Sequence, residues 1–241
     1  MRKIFTAIVF LGVAAIPFRA SAQQDAQFTQ YMFNTIYYNP AYAGVEGVTR
    51  FSAIHRTQWL GFSTSFDGPG GNPQTQVISA VTPLYKLNAG AGLHIVNDNL
   101  GPVNNLEIQG SFAYHYQIRS AGKLSIGARF GMYAQTYDFD QHRWRDPNDP
   151  LRQEGKETQM RPDVSLGLYF QAEKFYAGAS MTHLIKSEFD FGVAGQRNAL
   201  ESHLYLTGGF HYDFNYNLRL TPSFFVKTDL NVTSFDLSAV A

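Results

Sequence analysis

The stretch Asn105-Leu106-Glu107-Ile108-Gln109-Gly110-Ser111-Phe112-Ala113-Tyr114-His115-Tyr116-Gln117-Ile118 decides the fold. Taking every second residue separates it into two sets. Leu106, Ile108, Gly110, Phe112, Tyr114, Tyr116 and Ile118 form one face, and Asn105, Glu107, Gln109, Ser111, Ala113, His115 and Gln117 the other. A helix would scatter both sets around its circumference, whereas a strand keeps them apart. The same period recurs from Lys123 to Gln135, from Val164 to Gln171, from His203 to Asn215 and from Leu218 to Lys227. These runs are longer than the ~5–6 residues of an ordinary soluble strand and close to the ~9–11 of a tilted membrane-crossing strand. The pattern predicts about ten strands, at 48–58, 75–82, 88–96, 104–118, 123–137, 163–173, 174–184, 203–215, 217–227 and 228–240.

The connections alternate in kind as well. Ser120-Ala121-Gly122, Glu173-Lys174 and Asn215-Tyr216-Asn217 are tight turns, while Ser63 to Gln74, Asp138 to Pro162 and Lys186 to Ser202 are long polar segments. Short turns on one side and long loops on the other are how an outer-membrane barrel is built. A strand with one face in lipid must pair every backbone N–H and C=O, and closure removes the sheet edges. The expectation is therefore an all-β, antiparallel outer-membrane β-barrel, with a polar lumen and no separate second domain.

The beginning of the chain has a different character. Arg2 and Lys3 precede an apolar stretch from Ile4 to Ile16, and Ala20-Ser21-Ala22 offers small residues for cleavage before Gln23. This is the layout of a secretory signal peptide, with an apolar run too short to span a ~30 Å hydrocarbon core as a helix. The expected division is thus a signal peptide at 1–22 and a barrel domain at 23–241. Within that domain, 23–47 is read as a plug or a periplasmic element. The signal holds three of the 19 basic residues and none of the 19 acidic ones, so the remainder is slightly acidic. That balance gives no basic face for nucleic acid and no polybasic patch for anionic lipid. The chain has no Cys, hence neither a lipid-attachment site nor a disulfide framework. Beyond the signal, no apolar run is long enough for a helical membrane protein, but a barrel hides its apolar residues at alternate positions.

Gln30-Tyr31-Met32-Phe33-Asn34 leads into Asn39-Pro40-Ala41-Tyr42-Ala43-Gly44, and His55-Arg56-Thr57-Gln58-Trp59-Leu60-Gly61-Phe62 follows. Further on come Thr82-Pro83-Leu84, Gly90-Ala91-Gly92-Leu93 and Val96-Asn97-Asp98-Asn99-Leu100-Gly101-Pro102. In these motifs the chain resembles the PorP/SprF family of type IX secretion system membrane proteins of Bacteroidetes. Tyr176 to Ser180 and Leu218 to Ser223 fit that family's barrel strands, so the likeness covers nearly all of the chain after the signal. The resemblance implies a non-enzymatic outer-membrane component of protein secretion and gliding motility. Its implied partners are other secretion components, the C-terminal domains of secreted adhesins and outer-membrane lipid. It also implies further strands ending on an aromatic residue, whereas this sequence stops at Ser238-Ala239-Val240-Ala241. The expectation is a C-terminally truncated sequence from a larger barrel.

For sites, Pro40 restricts Asn39 and Gly44 permits a positive φ, so Asn39, Pro40, Ala41, Tyr42 and Gly44 suit a fixed turn. That turn serves either as a partner-binding plug element or as the entry to the first strand. Trp59, Gly61 and Phe62 suit an interfacial aromatic girdle better than ligand stacking. The seven His residues (55, 94, 115, 142, 183, 203 and 211) form no HExxH or HxH pair, and a zinc site would lack Cys. His115, His203 and His211 fall on lumen positions, where solvation is the default, and no metal site is expected. No G-x-S-x-G occurs, so a lipase would need residues gathered only by folding. Gly68 to Gly71 lacks the Lys and helix of a phosphate loop. Asp146-Pro147-Asn148-Asp149-Pro150 reads as a surface turn rather than a calcium loop. No catalytic residue and no cofactor are expected. The rival to a secretion component is a channel or transporter for small solutes.

Overall fold

The computed structural model describes residues 25–28, 30–61, 72–119, 121–141, 153–191, 198–215 and 218–241. The expected signal peptide, Phe62, the Gly68–Gly71 loop, His142 and the Asp146–Pro150 turn lie outside the described residues. After a short helix α1 (Thr35–Tyr38), the described residues are mostly strand. The first seven strands are β1 (Arg50–Thr57), β2 (Gln74–Leu84), β3 (Ala89–Leu100), β4 (Val103–Ile118), β5 (Gly122–Asp138), β6 (Lys156–Gln171) and β7 (Phe175–Thr182). A small hairpin of β8 (Glu188–Phe189) and β9 (Asn198–Ala199) precedes β10 (His203–Phe210), β11 (Tyr212–Asn215), β12 (Leu218–Thr228) and β13 (Thr233–Val240).

All but the small hairpin belong to one antiparallel sheet of 11 strands, in which neighbours in space follow the order along the chain. Among the described residues, β1 and β13 each pair on one side only, with β2 and β12. Several expected boundaries are corrected. The strand expected at 163–173 begins at Lys156, and Pro162 sits inside it opposite Met132. The strand expected at 88–96 runs on to Leu100, leaving only Gly101-Pro102 as the turn into β4. The expected strand 203–215 is interrupted at His211, and 228–240 starts only at Thr233. In β6 the extra residues place Lys156, Thr158, Met160 and Pro162 on the outward side, without an apolar pattern to announce them.

The alternation maps onto the two faces as follows. Ile78, Ile108, Phe112, Ile126, Phe130, Leu166, Leu168 and Phe224 are exposed. The intervening Ser79, Glu107, Gln109, Ser111, Ser125, Arg129, Ser165 and Ser223 are buried. A soluble protein hides its apolar face and wets its polar one; here the order is reversed, as a barrel in lipid requires. No helix among the described residues is long and apolar enough to cross a membrane.

Residues 25–28 and 30–48 occupy the space that the sheet encloses. Asp25 lies beside His183 and His203, at the end carrying the long connections. The chain then leaves at the opposite end, where Lys123 donates to Val45 O at 3.0 Å and Tyr85 donates to Gly47 O. Gln27 reaches the first strand and the last strand but one: its backbone carbonyl accepts from Arg56 on β1 at 2.6 Å, and its side chain accepts from Lys227 on β12 at 3.1 Å. The sheet is therefore curled nearly full circle around the segment. At the long-connection end a small apolar cluster of Tyr133, Phe139, Phe189, Phe191 and Leu200 folds the β8–β9 hairpin over the mouth.

Candidate functional site

The lumen segment and the wall it touches are the most elaborated part of the molecule. A row of small residues crosses the inner wall in strict register: Gly90 opposite Ala113, Ala113 opposite Gly127, Gly127 opposite Gly167, and Gly167 opposite Ser180. Asn39-Pro40-Ala41-Tyr42-Ala43 lies across this row. A Cβ added at Gly90 would strike the Ala43 backbone, one at Gly127 the backbone of Ala41 and Pro40, and one at Gly167 the Asn39 amide. Gly90 and Gly127 are thus required by the close approach of two backbones and Gly167 by the Asn39 side chain, not by turns. Gly44 has φ +71 and abuts Gly90, so it ends the crossing in a conformation that L side chains rarely adopt.

Polar groups of the wall satisfy the segment's backbone, which lies buried without a sheet partner. Arg129 donates to Tyr37 O at 2.6 Å and Ser180 Oγ to Tyr38 O at 2.8 Å. Asn39 Nδ2 donates to Leu168 O at 2.9 Å, while its Oδ1 accepts from Ala41 N at 2.9 Å, capping the turn at Pro40. Aromatic rings fill the remaining space. Tyr31 stacks on Phe225 at 4.7 Å, Tyr38 meets Phe225 edge-on at 4.6 Å, and Phe28 meets Tyr37 at 5.4 Å. Each such pair adds roughly 0.5–1.5 kcal/mol beyond the area it buries.

A second constellation sits at the long-connection end. His183 stands between two carboxylates, with Nε2 3.0 Å from Asp25 Oδ1 and Nδ1 3.1 Å from Asp163 Oδ1. Tyr205 donates to Asp25 Oδ2 at 2.7 Å, and His203 Nδ1 lies 3.5 Å from the same oxygen. Gln109 donates to Asp163 Oδ2 at 2.8 Å. Burial alone would raise the Asp25 carboxyl, but His183, His203 and the Tyr205 hydroxyl outweigh it and hold Asp25 below the usual carboxylate range. Burial would likewise depress His183, yet the flanking aspartates push it above the ordinary imidazole value.

The sequence-expected residues divide between places. Asn39, Pro40, Ala41 and Gly44 are buried against the small-residue row, with Tyr42 half-buried beside Tyr169 at 5.2 Å between rings. Trp59 and Gly61 lie far from that row, exposed just beyond β1, both with positive φ. The structure does not bring the two motifs together. The expectation of solvated lumen histidines is corrected for His203, which is 1% exposed because Asp25, Tyr205 and the end of the segment cover it. His115 and His211 are half-buried. Sequence reasoning missed Asp25, Arg129, Asp163 and His183 as site residues. Alternation already puts Arg129 and Asp163 on the lumen face, but nothing local ties Asp25 to a histidine 158 positions away.

The sequence model of the family described as "Type IX secretion system membrane protein PorP/SprF" matches residues 20–241. No curated protein and no solved structure matches the chain.

Proposed function

Because the chain belongs to the PorP/SprF family of type IX secretion system membrane proteins, we propose that it acts as a non-enzymatic outer-membrane scaffold for export or surface attachment of secreted adhesins. The observation that carries this reading is the filled lumen. A barrel whose interior is occupied by residues 25–28 and 30–48, with their backbone bonded to the wall, offers partners its rims and long connections rather than a conduit. In this reading the lipid contacts the outward band of Ile, Leu and Phe, and the long connections face the cell exterior, as in other outer-membrane barrels. The end of the segment at Asp25 then lies on the outer side, and the short turns face the periplasmic machinery. Export through a signal peptide and a part in gliding motility belong to the same proposal.

The reading is tested by deleting the gene and scoring surface display of adhesins and gliding. Loss of both, with restoration by the intact gene, is the expected result; unchanged display and gliding overturn it. Pull-down from detergent-solubilised membranes should recover other secretion components together with adhesin C-terminal domains.

A further inference from the structure

We propose that Asp25, His183 and His203 form a binding site for a divalent transition-metal ion, which clips the N-terminal segment to the barrel wall at the long-connection end. The donor atoms of these three side chains lie within 4.8 Å of one another. Their side chains are 8%, 3% and 2% exposed, so the cluster is enclosed and not a chance meeting of surface groups. The three come from separate places: the lumen segment, the bend after β7 and the first residue of β10. Asp25 Oδ1 lies 3.0 Å from His183 Nε2, leaving Oδ2 to the Tyr205 hydroxyl. Tetrahedral zinc with bonds of ~2.0–2.2 Å sets its ligand atoms roughly 3.3 Å apart, so small rotations suffice to admit an ion.

The surroundings fit ligands already oriented for a metal. A ligating histidine characteristically turns its other nitrogen to a carboxylate or a backbone carbonyl, and ligating carboxylates accept further hydrogen bonds. His183 has Asp163 behind it at 3.1 Å, and Asp163 is itself held by Gln109 at 2.8 Å. His203 Nδ1 lies 3.0 Å from Glu201 O, and Asp25 Oδ2 accepts the Tyr205 hydroxyl at 2.7 Å. Ion pairing explains His183 between two aspartates, but it leaves His203 Nε2 buried without a hydrogen-bond partner. A lone pair in that position is costly unless something accepts it. Two imidazoles and one carboxylate without thiolate select zinc and its transition-metal neighbours over calcium or magnesium, which take oxygen ligands. Three protein ligands leave a fourth position for water. On binding, the ion takes the place of a proton between His183 Nε2 and Asp25, and that proton goes to solvent.

The clip does not depend on the secretion role and is tested separately. The full chain, untagged, folded in detergent and stripped of metal, is titrated with zinc alone by calorimetry, and with cobalt for its absorption spectrum. One zinc per chain is expected, with uptake weakened at least about tenfold in Asp25→Asn and His203→Ala. Asp163→Asn, which touches only the outer side of His183, should weaken it by ~10–100-fold. His55→Ala, at an exposed position of β1, should bind as the parent does. No saturable zinc uptake by the parent, or equal uptake in Asp25→Asn and His203→Ala, overturns the proposal. Should those variants fail to fold, cobalt in the parent decides: nitrogen ligation in its X-ray absorption and intense tetrahedral bands support the site, and oxygen-only ligation overturns it.

Discussion

Gly110 and Gly127 sit on neighbouring strands and face opposite ways, and the difference shows what the wall is built for. A Cβ on Gly110 would meet nothing closer than Phe130 O at 3.9 Å, while one on Gly127 would run into the backbone of Pro40 and Ala41. Gly127→Val should therefore destabilise the folded protein by about 1–3 kcal/mol through overpacking, and Gly110→Val should change little. The midpoint of heat-induced conversion from the compact to the extended gel band measures both. Equal midpoints for the two variants would show that the segment does not press on the wall. The sequence marks both positions alike, as glycines within alternating runs. Only the register of β3 to β7 shows that Gly90, Gly127 and Gly167 form one row, because the pairing of distant strands is not encoded in any local window.

Among the elements, the segment 25–48 couples the two margins of the sheet. Gln27 touches β1 and β12, and the Tyr31 hydroxyl lies 2.9 Å from both Ser223 on β12 and Ser238 on β13. Removing 25–48 takes away these bridges and empties the lumen, leaving buried Arg129, Asp163 and Glu107 without their cover. The deletion should turn a protein that is silent in planar bilayers into one that conducts ions and that unfolds at lower denaturant. Conductance by the intact chain equal to that of the deletion would instead favour the channel reading. The element-level reading from sequence placed most strands within a few residues, since long two-faced runs give a strong period-2 signal. It failed at Lys156 to Pro162 and at Asn97 to Leu100, where the outward side chains are Lys, Thr, Met, Pro and Asn instead of a uniform apolar set. A strand end that is not buried in lipid has no reason to alternate.

For the whole molecule, the reversed arrangement of polar and apolar faces makes lipid the solvent of the outer wall. A charge placed on that wall should cost most near its middle. Ile126→Arg is expected to destabilise the barrel in phospholipid by ~2–4 kcal/mol, while a charge near the rim on the same outward side, as in Asn99→Arg, costs about 0–1 kcal/mol. Reversible unfolding in lipid vesicles gives both values, and an equal effect at the two positions would argue against the assigned membrane band.

The sequence alone determined the class of fold, because a period of two over long runs leaves no other regular structure and its apolar half needs a solvent that is not water. It also carried the family likeness in the Asn39–Gly44 and Gln58–Phe62 motifs, whose residues are contiguous. Tertiary structure alone decided that the Asn39–Gly44 motif lies inside the barrel on a row of small residues, and that Asp25 meets His183 and His203. Those facts depend on which distant strands pair and on what fills the space they enclose. Such contacts join residues far apart in the chain, from Gly44 and Gly90 to His183 and Asp25 at a separation of 158, and no local pattern of side chains records them.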